Sequence, residues 1–444
     1  MDASAYFRGK RITVMGLGLL GGVGDIAYLA ENGADIIATD LKNEEELRPS
    51  LEALKKFSNI RYTLGRHDIA DFCDRDLIIK APSTPLDSIY IAEARKNGIQ
   101  VTMWSALFAK FAREAGAAII GITGTRGKST VTAMIASILR TAEKNVIEGG
   151  NMQGTSVLTQ LAKVTADSIA VLELDSWKLQ GFGEANISPN IGVFTTFYPD
   201  HMNYYMDNMD AYLADKANIF LYQKPEDTLI LGKQFAATVI EKYGDEIKSK
   251  TVVVDELKLP DTWTLCIPGQ HNRYNAALAL AVARALGIDD SVSCRALESF
   301  AGVPGRLELI AEKNGVKIYN DTTSTTPTST IAALSALGTE YTIVIAGGTD
   351  KNLELNMLVQ KLKEAKMVIL LAGNGTDRIK DQLPDATIYG SIADAVADAF
   401  AHAKSGDTIL FSPAFTSFGM FKNEFDRGDQ FVEQIKNSLH DRDF

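Results

Sequence analysis

At 444 residues the chain is long enough for about three domains of ~150 residues, and 46% hydrophobic side chains supply the apolar mass for several cores. A net charge of −11 with no long basic run excludes a nucleic-acid surface, so anionic substrates must be held by local groups. No stretch approaches the ~18 apolar residues of a membrane span, the opening MDASAYFRGKRITVMG has no apolar leader core, and Cys73, Cys266 and Cys294 form no C-x-x-C pair. These features point to a cytoplasmic protein with no membrane partner and no zinc ribbon, whose cysteines read as buried small hydrophobes.

Residues 11–40 read as strand (RITVMG), glycine-rich turn, helix (DIAYLAENG) and strand (ADIIATD), one βαβ unit, and LIIKAP at 77–82 adds a further strand. Gly16-Leu17-Gly18-Leu19-Leu20-Gly21 follows a strand and opens a helix, and Asp40 ends the next strand where a dinucleotide fold keeps its ribose-binding acid. By themselves these residues allow a nucleotide of some kind, NAD, or a tight structural turn. The segment 98–116 leaves this domain and sets a boundary near 104.

The apolar run Ala117-Ala118-Ile119-Ile120 then enters GITGTRGKST (121–130), and VTAMIA leads out as a helix. Glycine spacing, lysine and hydroxyl in a strand–loop–helix setting make a site for ATP or GTP. The amides of Gly124, Thr125, Arg126, Gly127 and Lys128 are predicted to face the β-phosphate at the positive end of the helix dipole. Lys128 would reach the β and γ oxygens, and the hydroxyl of Ser129 or Thr130 would ligate Mg²⁺. Further along, Glu173 and Asp175 emerge past the buried strand VLEL (171–174), where a carboxylate can hold Mg²⁺ opposite that hydroxyl. NIGVFTTF (190–197) leads to Asp200 and His201, a second candidate pair for metal or phosphate, with a surface or core histidine as the alternative. Lys216 reads on its own as a helix-surface lysine.

After DTLILG (227–232), the helix HNRYNAALALAVARALG (271–287) puts Asn272 and Asn275 on one face, suited to a purine edge. Arg306 and Asp321 flank the strand KIYN, and YTIVIAGG, KMVILLAG and DTILFSPA, separated by helical segments, signal a third domain. The alternation predicts an α/β protein of three domains, 1–104, 105–302 and 303–444, each built on a mostly parallel sheet.

Taken together, GTRGKST, Gly150-Asn151, LELDS, DHMNYY followed fifteen residues later by Lys216, HNRYN, GRLE, NDTT, GGTDK and SPAFTSFGMFKNEFDRG resemble the motifs of the Mur ligase family of ATP-dependent amide-bond-forming enzymes. They match in order and spacing along essentially the whole chain, and the last two strings are most similar to the D-glutamate-adding branch. The resemblance implies a Rossmann-like UDP-substrate domain (1–104), a central P-loop ATPase-type domain (105–302) and a Rossmann-like amino-acid-binding domain (303–444). It implies a monomeric cytoplasmic ligase of peptidoglycan precursor synthesis that adds D-glutamate to UDP-N-acetylmuramoyl-L-alanine through an acyl phosphate. In that scheme Lys128 steadies the transferred phosphate, and Ser129 and Glu173 hold one Mg²⁺. His201 and a carbamylated Lys216 serve the second ion, with Mn²⁺ as an alternative metal. Asn275, Arg306 and Asp321 would hold adenine, phosphate and ribose. Gly18, Leu19, Leu20, Asp40, Leu41 and Asn151 would line the UDP-substrate site, and Thr325, Lys351, Ser417 and Phe418 would hold the D-glutamate carboxylates.

Several positions depart from the family pattern. Arg126 stands for the loop's usual Asn and adds a cation beside the triphosphate, while Thr323 stands for a lysine near the transferred phosphate. Asp175 and Lys178 replace the Ser and Gln that meet the muramoyl part, KAPSTP replaces an SPGIP-like loop, and Gly419 replaces the acid of the SFD string. These exchanges leave open a ligase for another amino acid such as L-glutamate, and Thr323 motivates a nucleotide-binding homologue with weakened turnover. An NAD-dependent oxidoreductase leaves the phosphate loop and third domain unexplained.

Overall fold

The computed structural model describes residues 3–18, 22–82, 84–149, 156–255, 258–417 and 419–440. Short runs rich in Ile, Val and Leu form strands that alternate with helices, and each sheet collects strands consecutive in the chain. The first sheet holds β1 (Arg11–Met15), β2 (Asp35–Asp40), β3 (Ile60–Leu64), β4 (Leu77–Ile79) and β5 (Gln100–Thr102). It is parallel throughout, in the order β3-β2-β1-β4-β5. The second holds β6 (Ala118–Thr123), β7 (Asn145–Gly149), β8 (Ser168–Glu173), β9 (Ile191–Phe194), β10 (Thr228–Gly232) and β11 (Lys250–Val254). It too is parallel, in the order β11-β10-β9-β6-β8-β7.

The third sheet holds β12 (Glu308–Lys313), β13 (Val316–Asn320), β14 (Thr342–Gly347), β15 (Met367–Leu371), β16 (Thr387–Tyr389) and β17 (Thr408–Phe411), in the order β12-β13-β17-β14-β15-β16. Its β12–β13 pair is antiparallel. That hairpin turns at Asn314-Gly315, both at positive φ (53° and 78°), the backbone a tight two-residue turn demands.

The chain divides into two compact units, Met1–Pro260 with Tyr274–Ala296, and Asp261–Arg273 with Leu297–Phe444. In the first unit one continuous core runs from Ile12, Val14 and Ile36 through Phe108 and Phe111 to Ile119, Leu172 and Leu229, so two sheets share their apolar interior. The helix Trp104–Glu114 makes this connection because it is apolar around most of its circumference, with Ser105 through Ala109, Phe111 and Ala112 buried. In the second unit successive residues of the inner strands face opposite sides. Ile343, Ile345, Ile369, Ile409 and Phe411 enter one apolar layer, and Val344, Ala346, Leu370 and Leu410 the other.

The expectation of mostly parallel α/β sheets therefore holds, whereas that of buried cysteines does not. Cys266 is exposed and Cys73 and Cys294 are half-buried, because none lies in a central strand. Among the described residues no helix is long and apolar enough to cross a membrane.

One layer of the third sheet closes on a ring stack between Phe411 of β17 and Phe431 of the helix Glu424–His440, with centroids 4.5 Å apart. Phe431→Ala leaves a cavity in a dry layer and should cost about 3–5 kcal/mol in urea unfolding of the second unit. A loss below about 1 kcal/mol would contradict this packing.

Candidate active site

The phosphate loop is fixed by its neighbours. Gly124 sits at φ 139°, and a Cβ there would run into the Thr195 hydroxyl and lie 2.9 Å from the Thr196 amide nitrogen. Gly127 sits at φ 84°, where a Cβ would lie 2.5 Å from Asn275 Oδ1. No side chain larger than hydrogen fits at either point. The Thr125 amide donates to the Thr196 carbonyl (2.7 Å), the Arg126 amide to Thr196 Oγ1 (2.9 Å), and Thr195 Oγ1 to the Arg126 carbonyl (2.5 Å). Thr125 Oγ1 donates to the Tyr198 carbonyl and accepts the Tyr198 amide. The helix Lys128–Thr141 then starts at Gly127 with no side-chain cap, so its first amides face outward as an anion site requires. Lys128 folds back over the loop and donates to the Thr125 carbonyl at 3.2 Å, while Ser129 and Thr130 are half-buried in the first helical turn.

Glu173 ends β8 and pairs in register with Ile122 of β6, so its buried side chain leaves the sheet beside the loop. Asp175 caps the helix Ser176–Glu184 by accepting the Lys178 amide at 2.8 Å, and Lys178 Nζ lies 3.7 Å from its carboxylate. Burial works to raise the Asp175 carboxyl, but Lys178, its amide, Lys128 and Lys216 hold it below the usual carboxylate range. His201 begins the short helix Met202–Tyr205 at φ 56°, with its ring 4.4 Å from that of Trp177. Burial lowers its pKa in spite of Asp200 and Asp175, which keeps the imidazole neutral and its lone pair available near pH 7.

Lys216 overturns the helix-surface reading. Its side chain is 1% exposed and donates to the Gly124 carbonyl at 3.0 Å and to Thr123 Oγ1 at 3.4 Å, with Nζ 4.8 Å from the Tyr212 ring centroid. Burial and the neighbouring Lys128 push its pKa down to about 7, although Asp175, Asp200 and Asp215 oppose them. Lys128, Asp175, His201 and Lys216 thus feel one another's charge.

Other expected residues are placed as follows. Asp40 accepts the Leu17 amide (2.7 Å) and the Lys42 amide (2.9 Å), shaping the glycine-rich turn, while Gly18 is exposed and Leu41 presents an apolar side chain that is 68% exposed. Asn272 donates its side-chain amide to the Pro268 carbonyl. In the second unit Arg306 is exposed, and Asp321 is buried with donors from Leu307, Ser324 and Ser412. Burial pushes that carboxyl up to about 6 in spite of those donors and Arg306. Thr323 spends its hydroxyl on the Gly305 carbonyl. Lys351 donates to Thr325 Oγ1 at 3.2 Å, and Ser417 lies next to Thr416, whose backbone pairs with Thr349 two residues before Lys351. Leu19, Leu20, Gly150, Asn151 and Phe418 lie outside the described residues.

Residue patterns missed two supports. Arg427, 0% exposed, donates to the Thr322 carbonyl (2.7 Å), the Thr322 hydroxyl (3.2 Å) and the Phe415 carbonyl (3.1 Å), and so ties together the two loops that carry Thr323, Thr325 and Ser417. In the first unit Lys80 donates to Gln180 Oε1 (2.6 Å), and Gln180 Nε2 donates to Asp215 (2.7 Å), next to Lys216. The only signal was the isolated Lys80 in an apolar strand end and the arginine of the RG string.

The depressed Lys216 pKa has a measurable consequence. Between about pH 7 and its ordinary value of 10.5 the folded chain holds fewer protons at this site than the unfolded chain, so stability rises with pH across that window. In bicarbonate-free buffer, urea unfolding at pH 7 to 10 should therefore show a steeper rise for the wild type than for Lys216→Met. Parallel profiles would mean that the amine is not desolvated.

Comparison with known proteins accords with this geometry. The chain matches the MurD-like N-terminal domain of Mur ligases over residues 10–103, the Mur ligase middle domain over 122–258 and the Mur ligase glutamate ligase domain over 305–415. It is 35% identical to the UDP-N-acetylmuramoylalanine--D-glutamate ligase of Roseiflexus sp. (strain RS-1), covering 97% of this chain and 99% of that protein. It is likewise 35% identical to the enzyme of that name from Borreliella afzelii (strain PKo), covering 95% of this chain and 96% of that protein. Among solved structures it shares its fold with the UDP-N-acetylmuramate-alanine ligase MurC of Thermotoga maritima (TM-score 0.59, 20% identity, 97% and 100% covered). It also shares it with the MurF ligase of Thermotoga maritima in complex with ADP (TM-score 0.60, 18% identity, 99% and 97% covered). With an uncapped phosphate loop, a buried lysine at its back and matches along nearly its whole length, the chain belongs to the Mur ligase family of ATP-dependent ligases.

Proposed function

We propose that this protein joins D-glutamate to UDP-N-acetylmuramoyl-L-alanine at the expense of ATP, in the cytoplasmic synthesis of peptidoglycan precursors and as a monomer. The observation that carries the reading is the buried Lys216, held against the carbonyl of Gly124 in the phosphate loop, with Lys128 on the same loop. The printed names of the 35% identical relatives support the choice of substrates. Residues 1–104 are assigned to the UDP-substrate, 105–302 to ATP and 303–444 to the amino acid.

The γ-phosphoryl group passes to the alanine carboxylate, giving ADP and an acyl phosphate. The D-glutamate amine then attacks the acyl carbon, loses a proton, and phosphate leaves as the amide forms. Charge gathers on oxygen in both steps, so fixed cations and amide dipoles lower the barriers. Lys128 and the uncapped amides of the helix Lys128–Thr141 would meet the β and γ oxygens, with Arg126 as a further exposed cation of the loop. Asn275 is assigned to adenine, Arg306 to phosphate and Asp321 to ribose. Gly18, Leu19, Leu20, Asp40, Leu41 and Asn151 are assigned to the UDP-substrate, and Thr325, Lys351, Ser417 and Phe418 to D-glutamate.

Among the described residues no three His, Cys, Asp or Glu side chains are grouped as a metal cluster. Ser129 and Glu173 would hold one magnesium ion, and His201 with a carbamate on Lys216 would hold the other. Lys216 suits that conversion because its amine is half neutral near pH 7 and so nucleophilic toward CO₂. When bound, Mg²⁺ or Mn²⁺ supplies neutralisation of phosphate charge.

Lys128→Ala should lower phosphate release at least about a hundredfold, ~2.7 kcal/mol in the barrier, while binding of the UDP-substrate persists. Turnover above a tenth of wild type would remove Lys128 from this role. With UDP-N-acetylmuramoyl-L-alanine present, phosphate release screened across amino acids should respond to D-glutamate. A response to L-glutamate alone would reassign the amino acid. Lys216→Ala should be nearly inactive yet partly restored by short carboxylates, and a fully active variant would exclude the carbamate.

A further inference from the structure

The first unit holds a cavity of about 340 Å³, walled by the segment that follows β4, the helices Ile89–Lys96 and Ser176–Glu184, and the end of the helix Met209–Ala217. Sites for small molecules usually enclose ~300–1,000 Å³. Among the described residues, none assigned above to ATP, the UDP-substrate or D-glutamate lines it.

Lys80 enters this cavity's wall directly after β4 and is 6% exposed. Its ammonium carries three N–H donors, yet among the described residues it finds one acceptor, Gln180 Oε1 at 2.6 Å. Burial lowers its pKa, and a charged amine kept there needs further acceptors. Gln180 in turn donates to Asp215 at 2.7 Å, and the same carboxylate oxygen accepts the Tyr205 hydroxyl at 2.8 Å. Arg95 pairs with Glu184. The wall therefore sets two cations, Lys80 and Arg95, against two anions, Asp215 and Glu184.

That balance selects the occupant. An anion or a cation alone would bring an uncompensated charge into a partly desolvated space, whereas a molecule carrying both signs adds none and finds a partner for each. Pro85, Leu86 and Ile91 give the same cavity a short apolar side, which suits a small aliphatic group. The frame is fixed before anything binds. A Cβ on Gly183 would lie 2.7 Å from Asn218 Oδ1, so the helix Ser176–Glu184 lies directly against Asn218, whose side-chain amide donates to the Asp215 carbonyl at 3.1 Å. The Tyr204 hydroxyl donates to the Thr84 carbonyl at 2.8 Å and holds the segment after β4 from the other side. A preformed wall spends little binding energy on ordering.

We propose that this cavity is a binding site for a small zwitterion, a short aliphatic α-amino acid whose carboxylate meets Lys80 and whose ammonium meets Asp215. It is distinct from the D-glutamate site assigned to the second unit. Binding there requires no turnover, so it does not depend on the reaction assigned above.

Ligand-observed NMR titrations of the full chain with L-alanine, D-alanine, L-valine and D-valine test it, on the wild type, Lys80→Met, Leu86→Trp and Lys351→Ala. At least one of the four amino acids should bind the wild type saturably, and propionate and ethylamine, each with a single charge, should bind at least tenfold more weakly. Lys80→Met removes the partner of the carboxylate and should weaken binding at least tenfold. Leu86→Trp fills the cavity from a partly exposed position and should weaken it as much, which preserves the test if Lys80→Met fails to fold. Lys351→Ala, in the second unit, should stay within twofold of wild type. Absence of saturable binding by all four amino acids would overturn the proposal, as would equal binding of propionate. Wild-type-like binding by Lys80→Met or by Leu86→Trp would do the same. A loss in Lys351→Ala would place the amino acid in the second unit instead, and displacement by UDP-N-acetylmuramoyl-L-alanine would return the cavity to the UDP-substrate.

Discussion

Burying Lys216 against Thr123 and Gly124 is the constraint from which the rest of the first unit's site follows. A desolvated amine needs acceptors, and the Gly124 carbonyl provides one only if the loop is held still. That explains the density of bonds from Thr195, Thr196 and Tyr198 to Thr125 and Arg126, and why the loop backbone leaves no room for a Cβ at Gly124. A loop fixed from behind presents its amides in front without reorganising, the condition under which fixed dipoles lower a barrier most.

The charges around that lysine are balanced rather than simply positive. Lys128, Lys178 and Lys216 stand near Asp175, Asp200 and Asp215, and the proton affinities of Asp175 and Lys216 reflect several of the others. The exchange of a Ser and a Gln for Asp175 and Lys178 fits this balance. It adds one anion and one cation on successive turns of a helix, bound to each other, and leaves the net charge unchanged. Thr323 is a different case, since its hydroxyl is committed to Gly305 and offers no charge in place of a lysine.

What the sequence disclosed follows a physical rule. Strands β1, β2, β4, β6, β8, β9, β10, β13, β14, β15 and β17 were legible as apolar runs, and all lie inside their sheets, where both faces are covered. The unread strands β3, β5, β7, β11, β12 and β16 are the sheet edges, half-wet and weakly patterned, such as KTVVV with only Val254 buried. The phosphate loop was legible because local glycine spacing fixes it. Burial of Lys216 was not, because it depends on contacts with residues 92 and 93 positions away. Asp25 was equally invisible, being an ordinary acid in a first helical turn until Ser156 arrives from 131 positions on.

Arg427 carries a consequence for the order in which the protein is made. The loop at Thr322 is pinned by a guanidinium 105 positions further along the chain. At a synthesis rate of about 5–20 residues per second, that loop waits roughly 5–20 s on the ribosome before its clasp exists. Through that interval β13 and the residues after it have emerged without the contact that sets them, so the second unit is completed late. A nascent chain that has passed residue 296 but not yet reached Arg427 holds the whole of its first unit and lacks the guanidinium that ties Thr322 to Phe415.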